Sequence, residues 1–204
     1  AMTAIIAKQG LGILTTYSIF IGEFYFGLLV LWLVLILAGS LFLKKRIITL
    51  IQRIKEPILL AFSTSSSEAA FPKTMLELER FGCKNKIVSF VLPLGYSFNL
   101  DGSMMYMTFA SLFIAQSYGI HLDFATQMSM LMVLMLTSKG IAGVPRASLV
   151  VIAGTLATFN IPEAGLALLL GIDPLLDMGR SATNVVGNSI ATAVVSKWEG
   201  DLEG

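Results

Sequence analysis

The sequence predicts an all-α integral membrane protein in which long transmembrane helices are joined by two opposed re-entrant helical hairpins. Three observations lead there. Apolar residues make up 55% of the 204 positions and charged residues only 13%, about half the charge of an ordinary soluble domain, and the mean hydropathy is +0.80. The apolar stretches come in two lengths, one above and one below the ~20 residues that a helix needs to cross a bilayer. Polar and small residues are concentrated at the ends of the short stretches and in the middle of the long ones.

The elements follow in order. Residues Tyr17 to Leu43 are almost continuously apolar, broken only by Glu23, and are long enough to span. Lys44, Lys45 and Arg46 follow at once, with Arg53 and Lys55 beyond, a basic cluster that favours the cytoplasmic side for this end. Ile47 to Phe62 is about 24 Å long as a helix, too short to cross. It ends in Ser63-Thr64-Ser65-Ser66-Ser67-Glu68, and a second short arm runs through Pro72 to Arg80. Two short arms around a polar turn read as a re-entrant hairpin over 47–80, a device tolerated at membrane depth only inside protein or beside water. A broken helix is predicted over 87–116, interrupted by Gly95-Tyr96-Ser97-Phe98-Asn99-Leu100-Asp101-Gly102-Ser103. A second hairpin is predicted over 124–159, its first arm about 22 Å long and its tip Lys139-Gly140-Ile141-Ala142-Gly143-Val144-Pro145-Arg146. The last helix is predicted over 164–197. Short hairpin then polar long span thus occurs twice, a pairing that points to a binding site near the membrane midplane.

Composition also excludes classes. A net charge of +1 gives no basic surface for nucleic acid. The lone Cys83 makes neither an intrachain disulfide nor a thiolate zinc site. The opening Ala1-Met2-Thr3-Ala4 carries no signal-peptide pattern, and the chain reads as entering a larger membrane protein part-way, with earlier spans missing.

The chemistry concentrates on the last helix. At 100° per residue, Asp173, Asp177, Arg180, Asn184 and Asn188 fall within a stripe of ~80°. An ionised group costs about 2.5–3.5 kcal/mol or more to insert in a bilayer, so this stripe must face partners or a cavity. A buried pair that only ties helices together is the plain alternative. The functional reading divides the labour: Arg180 offers a planar fork to a carboxylate, Asp177 accepts from an ammonium group, and Asn184 donates to a second carboxylate. Those three groups suit an acidic amino acid. Asn99 and Asp101, beside an opened helix, supply oxygens for a hard cation, or else a polar kink. The tips, with Ser65, Ser66 and Ser67 in one and Gly140 and Gly143 in the other, offer backbone N–H groups to an anion, and residues 138–148 are expected to act as a gate.

The strings at 63–72, 95–103, 138–145 (Ser-Lys-Gly-Ile-Ala-Gly-Val-Pro) and 177–188 (Asp-Met-Gly-Arg-Ser-Ala-Thr-Asn-Val-Val-Gly-Asn) resemble the dicarboxylate/amino acid:cation symporter family, that of the glutamate transporters and bacterial C4-dicarboxylate carriers. The resemblance covers essentially the whole chain and corresponds to the family's C-terminal part. It implies a glutamate-transporter-like transport domain over 44–204, preceded in 1–43 by the end of one span and one scaffold helix. It implies a homotrimer, surrounded by lipid in the bacterial cytoplasmic (inner) membrane, whose transport domains move like elevators. Substrate contacts are implied at Ser66, Ser67, Val144, Asp177, Arg180, Ser181 and Asn184. Cation ligands are implied at Gly95, Asn99, Asp101, Asn184 and Asn188. An aspartate one turn before the arginine goes with acidic amino acids in this family, while C4-dicarboxylate members tend to lack it, so glutamate or aspartate is the expected substrate and a C4-dicarboxylate the alternative. Sodium, protons or both are the expected coupling ions, with no covalently bound cofactor.

Two positions depart from the family pattern. Asn188 stands where strictly sodium-coupled members carry aspartate, which leaves proton coupling open. Arg146 stands where many have glycine, and either adds positive charge over the substrate or points to water. A competing class, an intramembrane hydrolase with a serine of 63–67 and Lys73 as base, needs the two within hydrogen-bond reach, and no Gly-x-Ser-x-Gly string supports it. His121 reads as a solvated loop residue.

Overall fold

The computed structural model describes residues 12–139 and 145–203, and every regular element in them is helical. Helix α1, Gly12–Leu43, is the one helix among the described residues that is long and apolar enough to cross a membrane. Its buried residues Tyr17, Phe20, Phe24 and Leu28 recur at helical spacing and turn one face inward. α1 stops where Lys44 takes a left-handed φ of 53°.

The predicted hairpin over 47–80 is built from α2, Arg46–Thr64, and α3, Phe71–Phe81. Ser65 ends α2 in the left-handed region at φ 52°, and the next amide, Ser66 N–H, returns to Ala61 O at 3.2 Å, satisfying a carbonyl that the helix would otherwise orphan. Pro72 opens α3, where a missing N–H costs nothing. Gly82, at φ 110°, closes it. The predicted broken helix divides into α4, Asn85–Phe98, and α5, Asp101–Ser117, with the break at Asn99 and Leu100. The hairpin predicted over 124–159 is built from α6, Phe124–Thr137, and α7, Ala147–Thr158. Asp123 caps α6 by accepting from Thr126 N–H at 2.9 Å.

The last predicted helix is shorter than expected. A 3-10 turn at Glu163–Gly165 and the four-residue α8, Leu166–Leu169, precede α9, Asp173–Trp198. The physical reason is Gly171 followed by Pro174: proline provides no N–H to continue an upstream helix and is suited to a first turn, so the helix restarts at Asp173.

α9 is the axis of the fold and is buried along most of its length. One core joins α1, α5, α6, α7 and the segment up to Leu176. A second joins the end of α1, α2, α3, α4 and α9 from Val186 onward. The polar stripe lies where the two meet. α1 is bound to this axis by Tyr17 Oη donating to Leu168 O at 2.6 Å, Tyr25 Oη to Leu175 O at 2.6 Å and Trp32 Nε1 to Thr183 Oγ1 at 2.8 Å. Beyond α9, Leu202 makes an isolated antiparallel bridge with Cys83.

Candidate functional site

Asp173, Asp177, Arg180, Asn184 and Asn188 are all at most 1% exposed, as the stripe predicted. Arg180 is among the largest fully buried side chains, and a buried guanidinium is tolerated only with partners on its fork. Its Nε donates to Asp177 Oδ1 at 2.7 Å, and its Nη1 to Ser103 Oγ at 3.2 Å. Asn184 Nδ2 donates to the same Ser103 Oγ at 3.1 Å. Asn184 Oδ1 accepts from Gly102 N–H at 2.9 Å and Ser103 N–H at 3.2 Å. These are two of the orphan donors that open α5, which has no cap from its own sequence. A residue of α9 therefore caps α5. Gly102 is required for this contact, because a Cβ there would strike Arg180 O.

The α6–α7 hairpin meets the stripe at Asp177. Arg146, exposed in its side chain and at φ 66°, donates its backbone N–H to Asp177 Oδ2 at 2.7 Å. Its Nε lies 3.4 Å from Asp173 Oδ2, while Tyr106 Oη donates to Asp173 Oδ1 at 2.5 Å. Asp177 thus has a hydrogen-bond partner on each oxygen, whereas Asp173 has one on Oδ1 and, on Oδ2, only the Arg146 ion pair without a hydrogen bond. Arg146 faces protein on one side. The α2–α3 turn meets the stripe further along: Ala61 and Ala70 pack on Val185, and Tyr96 Oη donates to Ser67 O at 3.0 Å. Ser66 and Ser67 are buried.

The cation candidates form a second cluster at the helix break. Asn99 Nδ2 lies 3.4 Å from both Asp101 Oδ2 and Asn188 Oδ1. A Cβ on Gly95 would collide with Asn188 Oδ1, and one on Gly187 with Asp101 Oδ2, so both glycines are what let α4 and α9 close on these oxygens. Asn188 Nδ2 is buried without a hydrogen-bond partner. Among the described residues no three His, Cys, Asp or Glu side chains converge. A carboxylate with amide oxygens instead suits a hard monovalent or small cation.

The profile of the sodium:dicarboxylate symporter family matches residues 1–198. The chain belongs to that family. Among its relatives, a proton/sodium-glutamate symport protein of Geobacillus stearothermophilus is 56% identical over 151 residues, 74% of this chain and 36% of the relative. A C4-dicarboxylate transport protein of Agrobacterium fabrum is 47% identical over 204 residues, all of this chain and 46% of the relative. A proton/sodium-glutamate symport protein of Bacillus subtilis is 45% identical over 195 residues, 96% of this chain and 46% of the relative. The chain thus spans less than half the length of these relatives.

In this symporter-family chain the fold brings Asp177, Arg180 and Asn184 together, and Gly95, Asn99, Asp101 and Asn188 together. The hydrogen bonds of the Asn184 side chain go to Gly102 and Ser103, on the substrate-pair side of the helix break. Ser181 is fully buried on α9, its Oγ without a hydrogen-bond partner. Val144 and the tip 140–144 lie outside the described residues. Sequence reasoning missed Ser103, which joins Arg180 to Asn184; its place at the end of the 95–103 string was the signal. Tyr96 lies in the same string, but its partner Ser67 and Tyr106's partner Asp173 lie far along the chain, and nothing local pointed to either. Lys73 pairs with Glu56 at 2.5 Å on an exposed face, while Ser67 is fully buried. His121 is exposed, as expected.

Proposed function

We propose that this chain carries the substrate and cation sites of a secondary symporter for an acidic amino acid, glutamate or aspartate, driven by sodium, protons or both. The observation that carries the reading is the fully buried Asp177–Arg180 pair at 2.7 Å. An ion pair with no exposure is weak support for stability, because desolvation offsets most of its Coulomb gain. A substrate with carboxylates and an ammonium group exchanges partners with both members: carboxylate for Arg180, ammonium for Asp177. Asn184 and Ser103 add polar contacts, Ser66 and Ser67 line the approach from the first hairpin, and Asn99, Asp101 and Asn188 with the carbonyl of Gly95 hold the cation.

In this reading the two hairpins are re-entrant and opposed, the protein is a multi-pass component of the bacterial cytoplasmic membrane, and it works as a homotrimer with earlier spans forming the scaffold. The family resemblance implies that the helix of 1–43 is part of the scaffold; the three hydrogen bonds from α1 to the α8–α9 region instead support α1 travelling with 44–204 during an elevator-type movement.

A C4-dicarboxylate is the second reading. Asp177 already has Arg180 on one oxygen and Arg146 N–H on the other, which weakens its demand for an ammonium group. Uptake of labelled glutamate, aspartate and succinate by the full-length protein in proteoliposomes, under separate sodium and proton gradients, decides the matter. Sodium- or proton-driven glutamate or aspartate uptake abolished by Asp177→Ala supports the amino-acid reading. Succinate uptake that survives Asp177→Ala transfers the assignment to dicarboxylates, and no gradient-driven uptake of any of the three overturns both.

A further inference from the structure

We propose that the cleft where α1 turns into α2 beside the end of α9 binds the headgroup of an anionic diacyl phospholipid. The chain changes from apolar to cationic within one residue here: α1 ends at Leu43, and Lys44, Lys45 and Arg46 follow. The left-handed Lys44 folds these side chains back toward α9, which contributes Lys197. The four cations line a cleft of about 500 Å³ floored by Phe42, Leu43 and Leu202.

The cations differ in engagement. Arg46 is held in place, its Nη2 donating to Phe81 O at 3.0 Å and its guanidinium 4.9 Å over the Phe81 ring. Lys44, Lys45 and Lys197 are exposed and have no carboxylate at ion-pair distance among the described residues, whereas nearby Lys84 and Lys86 both reach Asp201 at 2.6 Å. Three unpaired ammonium groups around a fixed guanidinium form a ready set of donors for phosphate oxygens. Glu199 and Glu203, exposed next to Trp198 and Leu202 in the chain, are two carboxylates against four cations and leave the rim positive.

The apolar half of the argument selects a lipid over a free anion. Leu33, Leu37 and Leu41, one turn apart on α1, are all exposed, Leu41 at 77%, and their row runs toward the cleft. At its mouth Trp198 packs edge-on against Phe42 at 5.2 Å and remains exposed, the placement of an aromatic at a membrane–water interface. Basic pockets between membrane helices bind anionic headgroups in this way. The inference rests on α1 lying in a membrane and is independent of which substrate is carried.

The test uses full-length protein in detergent, examined by native mass spectrometry with dioleoyl phosphatidylglycerol and dioleoyl phosphatidylcholine. Wild type is expected to retain phosphatidylglycerol with about tenfold or greater preference. The triple variant Lys44→Gln, Lys45→Gln, Lys197→Gln is expected to lose that preference, and the corresponding triple arginine variant to keep it. Lys197→Gln alone, a single exposed change, is expected to lower it several-fold. No preference in wild type, or full preference in the glutamine triple, overturns the proposal. Displacement of the phospholipid by millimolar inorganic phosphate reassigns the cleft to free anions. Protection of the three lysines from an amine-reactive reagent in delipidated protein means that another segment covers the cleft, and the proposal then fails.

Discussion

The two hairpins reach the same helix by different means. The α2–α3 hairpin is secured at both ends. Its turn is held by Tyr96 on Ser67 O and by Ala61 and Ala70 on Val185. Its base is held by Arg46 on Phe81 O, by the Cys83–Leu202 bridge and by Asp201, which joins Lys84 and Lys86 to the end of the chain. The α6–α7 hairpin instead meets the polar centre through Arg146 N–H on Asp177 and Arg146 Nε near Asp173, with Lys139 Nζ donating to Phe98 O at 2.8 Å from an exposed position. Both hairpins pack into apolar cores, but only the second also binds the charges of the site. Perturbing the site therefore loosens the second hairpin before the first.

The largest expected effect comes from Arg180→Ala. Breaking a buried pair by removing one partner costs about 3–5 kcal/mol, and uptake by the full-length protein is expected to fall below detection. Hydrogen exchange should then rise in α6–α7 while α2–α3 stays protected; equal loosening of both hairpins would erase the contrast. Next comes Arg146→Gly. Glycine accepts the left-handed φ of 66° without strain, so this variant removes the guanidinium while keeping the N–H bond to Asp177. It leaves the buried Asp173 carboxylate with Tyr106 as its main partner. About a tenfold rise in apparent KM is expected, of the size that follows loss of a charged partner, with Arg146→Lys largely restoring it. An unchanged KM in both would show that Arg146 serves the solvent side alone.

Tyr96→Phe acts on the first hairpin. It removes one hydrogen bond to Ser67 O, worth about 1 kcal/mol, and thermal unfolding should register that loss with transport KM unaltered. The smallest effect is on acidification. The hydrogen bonds from Lys84 and then Lys86 hold the Asp201 carboxyl below the ordinary carboxylate range. A carboxyl whose folded-state value is depressed contributes above the unfolded value, about pH 4, and stops contributing as pH falls through the lower folded one. Exchange of the Lys84 and Glu203 amides, which donate to Asp201 O and Gly82 O across the bridge, should therefore rise below about pH 4 in wild type. In Asp201→Asn it should be raised at all pH values.

Where the sequence was legible, a local rule was at work. The stripe on α9 followed from helical periodicity, and the break at Asn99 and Leu100 from polar residues in mid-span. The helix predicted from 164 overran its true start because the apolar run Leu166–Leu170 masks the Gly171 and Pro174 punctuation. What remained hidden was long-range. Asn184 capping α5, Tyr106 on Asp173 and Tyr96 on Ser67 join residues 82, 67 and 29 positions apart, and no periodicity encodes such partners. Asn184 could be proposed for either cluster because its type suits both; only the fold assigns its amide to Gly102 and Ser103.

That amide has a consequence for how such a chain can diversify. Asp177, Arg180, Ser103 and Asn184 form one hydrogen-bonded line, and Asn184 ends it on the first turn of the helix that begins with Asp101. Any energetic effect that an ion at Asp101 exerts on the group held by Arg180 must be returned in equal measure. In the proposed reading, a lineage that changes its cargo by altering this line would also change its dependence on the driving ion. Selection would have to move both traits together, or make the change at a residue outside the line, such as Arg146.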